Sequence, residues 1–166
     1  MIITLFADAS FDATRKIGTW AAWAKCDGVT MRAGGVFKTP IDNSTTAELG
    51  AIANGLHLAI AEFDPSAGAL VVIESDNITA LALAIGDTQI VKPKTVRRMG
   101  RQIHAMRDSI AAIVGARRLR VRTKHVRGHR GVGDPRSAVN TWCDRICHQH
   151  LASARRRNER EKAHDA

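Results

Sequence analysis

The chain has few aromatic side chains: tyrosine is absent, and phenylalanine and tryptophan together make up 4% of the 166 residues. Proteins that bind single-stranded nucleic acid without sequence preference commonly stack the bases on aromatic rings. The composition therefore argues against a recognition surface built mainly on stacking.

Cysteine and long apolar runs are also scarce. The three cysteines, Cys26, Cys143 and Cys147, are an odd number in a chain too long for a small disulfide scaffold. No apolar run approaches the roughly 20 residues that span a bilayer, and the first residues form a strand-like segment, unlike a secretory signal. We expect a cytoplasmic protein with reduced thiols, without a membrane partner.

Positive charge, in contrast, is in excess. The formal net charge is +9 and the sequence pI is about 10.3. Lysine and arginine displace condensed counterions from nucleic acid, so such a balance favours polyanionic partners. A soluble protein that is merely basic is the alternative.

The hydrophobic pattern predicts an α/β fold with the element order β-β-β-α-β-α-α-β-α. An antiparallel meander of three strands is followed by crossover connections to two parallel strands, which gives a five-stranded mixed sheet flanked by helices. We predict one domain over residues 1–155 and a charged, disordered tail over 156–166. The predicted strands are 2–7, 17–26, 30–38, 70–75 and 118–126, and the predicted helices are 45–63, 77–86, 95–115 and 138–155.

Four carboxylates lie where a divalent cation could be held: Asp8, Glu48, Asp76 and Asp144. Asp8 and Asp76 each follow an apolar strand, and functional groups of open α/β sheets gather beyond the carboxyl ends of parallel strands. Hard cations such as Mg²⁺ prefer oxygen ligands, and two adjacent cations need several carboxylates. This pattern indicates a metal-dependent phosphodiester enzyme.

Each carboxylate also has a purely structural interpretation. Asp8 could form an Asx turn, and Asp76 could cap the helix that follows it. Glu48 fits a capping box that begins at Thr45. Asp144 could be a solvated helical residue.

Other polar groups suggest further roles. His129 lies in a loop flanked by glycine, and a histidine titrates near neutral pH, which suits proton transfer; an exposed loop histidine is the alternative. Cys143, Cys147, His148 and His150 could be imagined as a zinc site, but buried thiols on one helix face are the better interpretation. A basic track for phosphates is predicted from Lys92, Lys94, Arg97 and Arg98, with general solubility as its alternative.

With these residues in view, the chain resembles type 1 ribonuclease H over residues 1 to about 152. Five segments in the same order carry the resemblance: Phe6-Ala7-Asp8-Ala9-Ser10, Thr46-Ala47-Glu48-Leu49-Gly50-Ala51-Ile52, Glu74-Ser75-Asp76-Asn77, Val126-Arg127-Gly128-His129 and Asn140-Thr141-Trp142-Cys143-Asp144.

The resemblance implies an endonuclease that hydrolyses the RNA strand of RNA–DNA hybrids and leaves 5′-phosphate and 3′-hydroxyl ends. Asp8, Glu48, Asp76 and Asp144 would bind two Mg²⁺ ions, with Mn²⁺ as a substitute. One ion would activate the attacking water and the other would stabilise the leaving oxygen. His129 would assist proton transfer or product release.

The resemblance also suggests residues that contact the substrate. With the basic track, these are Ser10, Asn43, Ser44, Asn77 and Asn140. The chain departs from the family pattern at Ala9, Ser44 and Ile78, close to positions that the family uses near the RNA strand, and its loop after His129 is longer. Nuclease chemistry is therefore better supported than hybrid specificity.

Two other functions stay open. One is a DNA nuclease or resolvase on the same fold; the exonuclease class would need an acidic residue where Ser10 stands. The other is an inactive nucleic-acid binding module, against which the intact carboxylates argue. In each case we expect a monomer.

Overall fold

The computed structural model describes residues 1–87, 91, 100–126 and 135–164. Its strands are β1 (Ile2–Asp12), β2 (Ile17–Cys26), β3 (Val29–Val36), β4 (Leu70–Ser75) and β5 (Arg120–His125). Its helices are α1 (Ser44–Phe63), α2 (Ile78–Ala84), α3 (Arg101–Ala116) and α4 (Pro135–His164).

The strands form one mixed sheet in the order β3-β2-β1-β4-β5. β1 to β3 are an antiparallel meander, whereas β4 lies parallel to both β1 and β5. Asp27 and Gly28 connect β2 to β3, and both have positive φ, at 47° and 85°. Two-residue hairpins favour such a turn because its twist matches that of the strands. The predicted fold class is confirmed.

β1 is longer than the sequence predicts. Its parallel pairing with β4 ends at Phe6, opposite Glu74, but its antiparallel pairing with β2 continues to Asp12. Asp8 therefore does not end the strand. It lies two residues beyond the last parallel pair, where β1 has lost its neighbour on the β4 side.

Helices cover both faces of the sheet. Alternate residues Ile3, Leu5 and Ala7 of β1 belong to the main hydrophobic core, which also contains the apolar face of α1. Phe6, which points to the opposite face because side chains alternate along a strand, packs with Cys143 and Cys147 of α4. The helix that carries Asp144 thus lies on the face of β1 to which Phe6 and Asp8 both point.

α4 differs from the prediction at both ends. It begins at Pro135, three residues before the predicted start, and continues to His164, so residues 156–164 are helical where we predicted a disordered tail. Arg155 Nε donates to Asp12 Oδ2 over 2.6 Å, which attaches this part of the helix to the end of β1. A one-dimensional pattern does not reveal this contact because its partners are 143 residues apart.

The remaining differences are small. α1 begins one residue before the predicted start and α2 one residue after it. Of the helix predicted over 95–115, residues 95–99 lie outside the described residues, and the helix is described from Arg101 to Ala116. Among the residues that the structure describes, no helix has the length and apolarity needed to cross a membrane.

Candidate metal centre

Asp8 occupies a buried position in the middle of the site. Asp8 is 8% exposed. The Oδ1 atom of Asp8 accepts a hydrogen bond from the backbone N–H of Ala9 over 2.8 Å. This hydrogen bond reaches the next residue, whereas the hydrogen bond of an Asx turn reaches the residue two positions ahead, so Asp8 does not form an Asx turn. Since β1 continues past Asp8 as a regular strand, the carboxylate is available for another role.

Asp76 directly follows β4 and is exposed. It does not cap α2, because that place belongs to Asn77, whose Oδ1 accepts a hydrogen bond from Ala80 N over 2.9 Å. His125, at the end of β5, lies with Nε2 3.0 Å from the carbonyl oxygen of Asp76. The backbone around Asp76 is therefore held from two sides.

Glu48 lies in the second turn of α1. The capping-box interpretation is wrong, because the N-cap is Asn43. Asn43 Oδ1 accepts hydrogen bonds from Thr46 N over 2.9 Å and from Thr46 Oγ1 over 3.1 Å. Glu48 is thus not used in capping, and one of its oxygens, Oε2, is buried without a hydrogen-bond partner among the described residues.

These three carboxylates converge. One oxygen from each of Asp8, Glu48 and Asp76 lies within 4.8 Å of the other two. Mg²⁺ binds oxygen at about 2.0–2.1 Å, so ligands on opposite sides of the ion are about 4 Å apart. The described part of the chain contains no other group of three or more potential metal ligands at such distances.

The convergence has an electrostatic cost in the absence of a cation. Burial, followed by repulsion from Asp76, raises the pKa of Asp8 from 3.8 to about 7, and the Ala9 N–H opposes this shift only partly. Burial, followed by repulsion from Asp8 and Asp76, raises the pKa of Glu48 from 4.5 to about 9. A divalent cation would remove the repulsion, because it favours the charged form of each carboxylate.

Asp144 lies near the three carboxylates but outside their group. Its charge contributes to the raised pKa of Asp8, and its Oδ1 is 3.1 Å from His148 Nε2, one helical turn further along α4. The Asp144 side chain is 40% exposed. The fourth predicted ligand is therefore partly exposed and lies outside the group of three, with His148 as its neighbour.

Five of the nine predicted substrate-binding residues lie in the part of the chain that the structure describes. Ser10 of β1 pairs with Thr19 of β2, whereas Asn43 is the N-cap of α1 and Asn77 is the N-cap of α2. Ser44 is the exposed first residue of α1, and Asn140 is half-buried on α4. His129, Lys92, Lys94, Arg97 and Arg98 lie outside the described residues.

The sequence did not single out one carboxylate near this site. Glu74 is 1% exposed and precedes Asp76 by two residues, and its Oε1 is 3.9 Å from Lys124 Nζ. The alternation of side chains along β4 was the signal that could have found it, because residues two apart point to the same face. The Lys124 ammonium group gives this buried carboxylate a partner of opposite charge.

The cysteines are buried thiols, as predicted. Cys147 Sγ donates to the carbonyl oxygen of Asp8 over 3.3 Å, and Thr19 Oγ1 donates to the carbonyl oxygen of Cys147 over 2.9 Å. Burial and the nearby charge of Asp8 raise the pKa of Cys143 to about 12. Cys147 thus fastens α4 to the strand that carries Asp8.

Comparison with known proteins extends the description of the fold. No family model matches the chain, and no curated protein matches it in sequence. Solved structures do match. The N-terminal ribonuclease H domain of Rv2228c from Mycobacterium tuberculosis superposes with a TM-score of 0.67 at 14% identity, covering 95% of this chain and 98% of that one. The chain has the fold of type 1 ribonuclease H.

Two further structures agree. Ribonuclease H1 of Halobacterium salinarum NRC-1 gives a TM-score of 0.62 at 15% identity, over 92% of this chain and 99% of that one. LC11 ribonuclease H1, isolated from compost, was solved in complex with an RNA/DNA hybrid. It gives a TM-score of 0.64 at 13% identity, over 92% of this chain and 98% of that one. At identities this low, the superpositions show the ribonuclease H fold alone, and this fold agrees with the resemblance seen in the sequence.

Proposed function

We propose that this chain is a divalent-metal-dependent endonuclease that hydrolyses the RNA strand of RNA–DNA hybrids. The observation that carries the proposal is the convergence of Asp8, Glu48 and Asp76 within 4.8 Å on a ribonuclease H fold. Three separate elements supply these residues: a strand, a helix and the end of a second strand. Local turn or cap chemistry does not explain why their oxygens meet.

The carboxylates fit a hard cation. Together they offer oxygen donors at a spacing that Mg²⁺ can bridge, and Glu48 Oε2 is buried without a hydrogen-bond partner in the described part of the chain. Buried polar atoms are nearly always satisfied, so an orphaned carboxylate oxygen needs an explanation such as an ion. A ligand bond to this oxygen would provide it.

The residues have distinct roles in this proposal. Asp8 and Asp76 are the central ligands, Glu48 completes the set from α1, and Asp144 binds at the exposed margin. Two Mg²⁺ ions, for which Mn²⁺ can substitute, supply a nucleophilic water and stabilise the leaving oxygen when bound. The products carry 5′-phosphate and 3′-hydroxyl ends. We further propose that His129 assists proton transfer or product release.

The choice of substrate rests on two supports. LC11 ribonuclease H1, which shares the fold, binds an RNA/DNA hybrid, and the net charge of +9 suits a polyanion. Ile78, two residues after Asp76, is 49% exposed at the start of α2. An apolar side chain there offers no hydrogen bond to a ribose 2′-hydroxyl, the group that distinguishes RNA from DNA. We therefore expect hybrid cleavage with limited discrimination against other duplexes.

A substrate panel tests the proposal. The purified protein is given Mg²⁺ and labelled RNA–DNA hybrid, duplex DNA, duplex RNA and a four-way junction, with Asp76→Asn as the control for contaminating nucleases. We expect the wild type to cleave the hybrid fastest, in its RNA strand, and the variant to lose this activity.

The other outcomes have definite meanings. Preferred cleavage of duplex DNA or of the junction would replace the hybrid by a DNA substrate on the same metal centre. Tight binding without cleavage of any substrate by folded protein would identify a binding module and overturn the enzyme proposal.

A further inference from the structure

A carboxylate and an imidazole meet on α4, one helical turn apart. Asp144 Oδ1 lies 3.1 Å from His148 Nε2, and the two side chains are 40% and 66% exposed. Residues four apart lie on the same face of a helix, so this contact follows from their spacing. Neither residue belongs to the group of three carboxylates in the metal centre. The pair therefore offers one oxygen donor and one nitrogen donor beyond that group.

The structure separates His148 from the cysteines with which the sequence grouped it. Cys143 and Cys147 are buried against Phe6, in the core between α4 and the sheet. Burial raises the pKa of the Cys143 thiol to about 12, and a thiol binds metal only as the thiolate. Asp144 is thus the side chain with a ligand atom that lies beside the imidazole of His148.

The distance between the two donor atoms fits two ligands of one metal ion. Small divalent cations hold nitrogen and oxygen ligands at about 2.0–2.2 Å. Two ligands at right angles around such an ion are therefore about 3 Å apart. The distance of 3.1 Å between Asp144 Oδ1 and His148 Nε2 has this value, so one ion can contact both atoms without movement of the helix.

The nitrogen donor determines which ions suit the pair. Mg²⁺ prefers oxygen ligands and keeps several waters. Imidazole is a good ligand for first-row transition metals, which it binds through the lone pair of a neutral ring nitrogen. A carboxylate beside an imidazole therefore favours a transition-metal ion over Mg²⁺.

We propose that Asp144 and His148 together bind one divalent first-row transition-metal ion, with water in the remaining coordination positions. The inference rests on the proposed function, in which Asp144 binds metal, and adds His148 as a ligand. After burial and repulsion from Asp76, the charge of Asp144 is a further cause of the raised pKa of Asp8. The Asp144 carboxylate thus lies close enough to the metal centre for their charges to interact.

Binding of Mn²⁺ to the metal-free protein, without nucleic acid, tests the inference. Electron paramagnetic resonance measures the affinity for Mn²⁺, and its pulsed form detects a nitrogen atom bound directly to the ion. His148→Gln is the decisive variant, because its amide can donate a hydrogen bond to Asp144 but offers no imidazole nitrogen. Asp144→Asn removes the carboxylate of the pair. His104→Ala, at an exposed histidine of α3, is the control.

We expect the wild type and the control to show the signal of a bound nitrogen, and His148→Gln to lose most of it. His148→Gln and Asp144→Asn should weaken the same Mn²⁺-binding step by at least about tenfold, since even residues that only support a metal ligand contribute about 10- to 100-fold. The affinity of His148→Gln for Mg²⁺ should stay within about threefold of the wild-type value, because water can replace the imidazole.

A wild type without the nitrogen signal, or an unchanged signal in His148→Gln, would overturn the inference and make the pair an ordinary surface contact. An equal loss of Mg²⁺ and Mn²⁺ affinity in His148→Gln would overturn the preference for a transition metal. The proposed function fails separately, if the wild type binds Mn²⁺ with the nitrogen signal but cleaves no hybrid. Equal urea midpoints of wild type and variants in a chelator show that a lost ion is not a lost fold.

Discussion

Replacing Asp8 by asparagine should stabilise the metal-free protein while it destroys the metal centre. Asp8 lies within a group of three carboxylates, and burial together with repulsion from Asp76 raises its pKa from 3.8 to about 7. Asparagine has nearly the same shape and no charge, and its amide can donate a hydrogen bond to a neighbouring carboxylate. The substitution therefore removes the repulsion without leaving a cavity.

The magnitude follows from the two pKa values. Each tenfold change in proton affinity corresponds to about 1.4 kcal/mol, so a shift from 3.8 to about 7 costs the folded state about 4 kcal/mol once Asp8 is ionised. Glu48 shares this repulsion and can bind the proton instead. We therefore expect Asp8→Asn to raise the free energy of unfolding by about 2 to 4 kcal/mol at pH 8.

The direction of the pH dependence follows from the same values. Between about pH 4 and pH 7, the folded state retains a proton on Asp8 that the unfolded chain has released. The free energy of unfolding of the wild type should therefore fall as pH rises through this window. Asp8→Asn lacks the contribution of Asp8 but keeps that of Glu48, whose pKa is also raised by burial. The stability gap between wild type and variant should therefore be small near pH 4 and reach its full value above pH 7.

Urea unfolding in the presence of a chelator, at pH values from 4 to 8, measures this gap. Asp108→Asn is the matched control because Asp108 is an exposed aspartate on α3, outside the carboxylate group. It should change stability by less than about 0.5 kcal/mol at every pH. Saturating Mg²⁺ should stabilise the wild type, because a ligand that binds only the folded state adds to its stability, and it should leave Asp8→Asn unchanged. Equal stability of wild type and Asp8→Asn at pH 8 would refute this reasoning.

Three other predictions concern the packing around the site. Asn43→Ala removes the cap of α1 and should cost about 1 kcal/mol in urea unfolding; no loss would contradict the cap. Gly55→Ala should lower the free energy of unfolding by about 1 to 3 kcal/mol, because the added Cβ would lie 2.8 Å from the Cβ of Ala22 in β2. Gly115→Ala is its control: the added Cβ would meet open space, so the substitution should raise the free energy of unfolding by about 0.5 to 1 kcal/mol. Cys143 and Cys147 should react with a thiol reagent only after unfolding, since both are buried; fast labelling of the folded protein would contradict their burial.

The sequence predicted the sheet well because its signals are local. Apolar runs marked β1 and β4, and Asp27-Gly28 marked the hairpin between β2 and β3. The extension of β1 to Asp12 was missed because it depends on pairing with β2, and the continuation of α4 was missed because it depends on the contact between Arg155 and Asp12. Such contacts between distant residues leave no local pattern.

The candidate site was predicted in part for the same reason. Apolar strands ending near Asp8 and Asp76 placed two carboxylates at one edge of the sheet, and the structure brings Glu48 to them. The capping box predicted at Thr45 was wrong because Asn43, two residues earlier, accepts the same kind of backbone hydrogen bond, and residue type alone does not decide between the two. The geometry makes this choice, and Glu48 is thereby available to the metal centre.

The central claim is that the three converging carboxylates hold the metal that cleaves RNA. The most direct measurement is the rate of Mg²⁺-dependent cleavage of a labelled RNA–DNA hybrid by Asp8→Asn, Glu48→Gln and Asp76→Asn, each compared with the wild type and with Asp108→Asn. The account predicts that each of the three loses at least about 100-fold in rate, about 2.7 kcal/mol in transition-state stabilisation, and that the control retains the wild-type rate. Cleavage at the wild-type rate by any of the three variants, or by the wild type in a chelator, would contradict it.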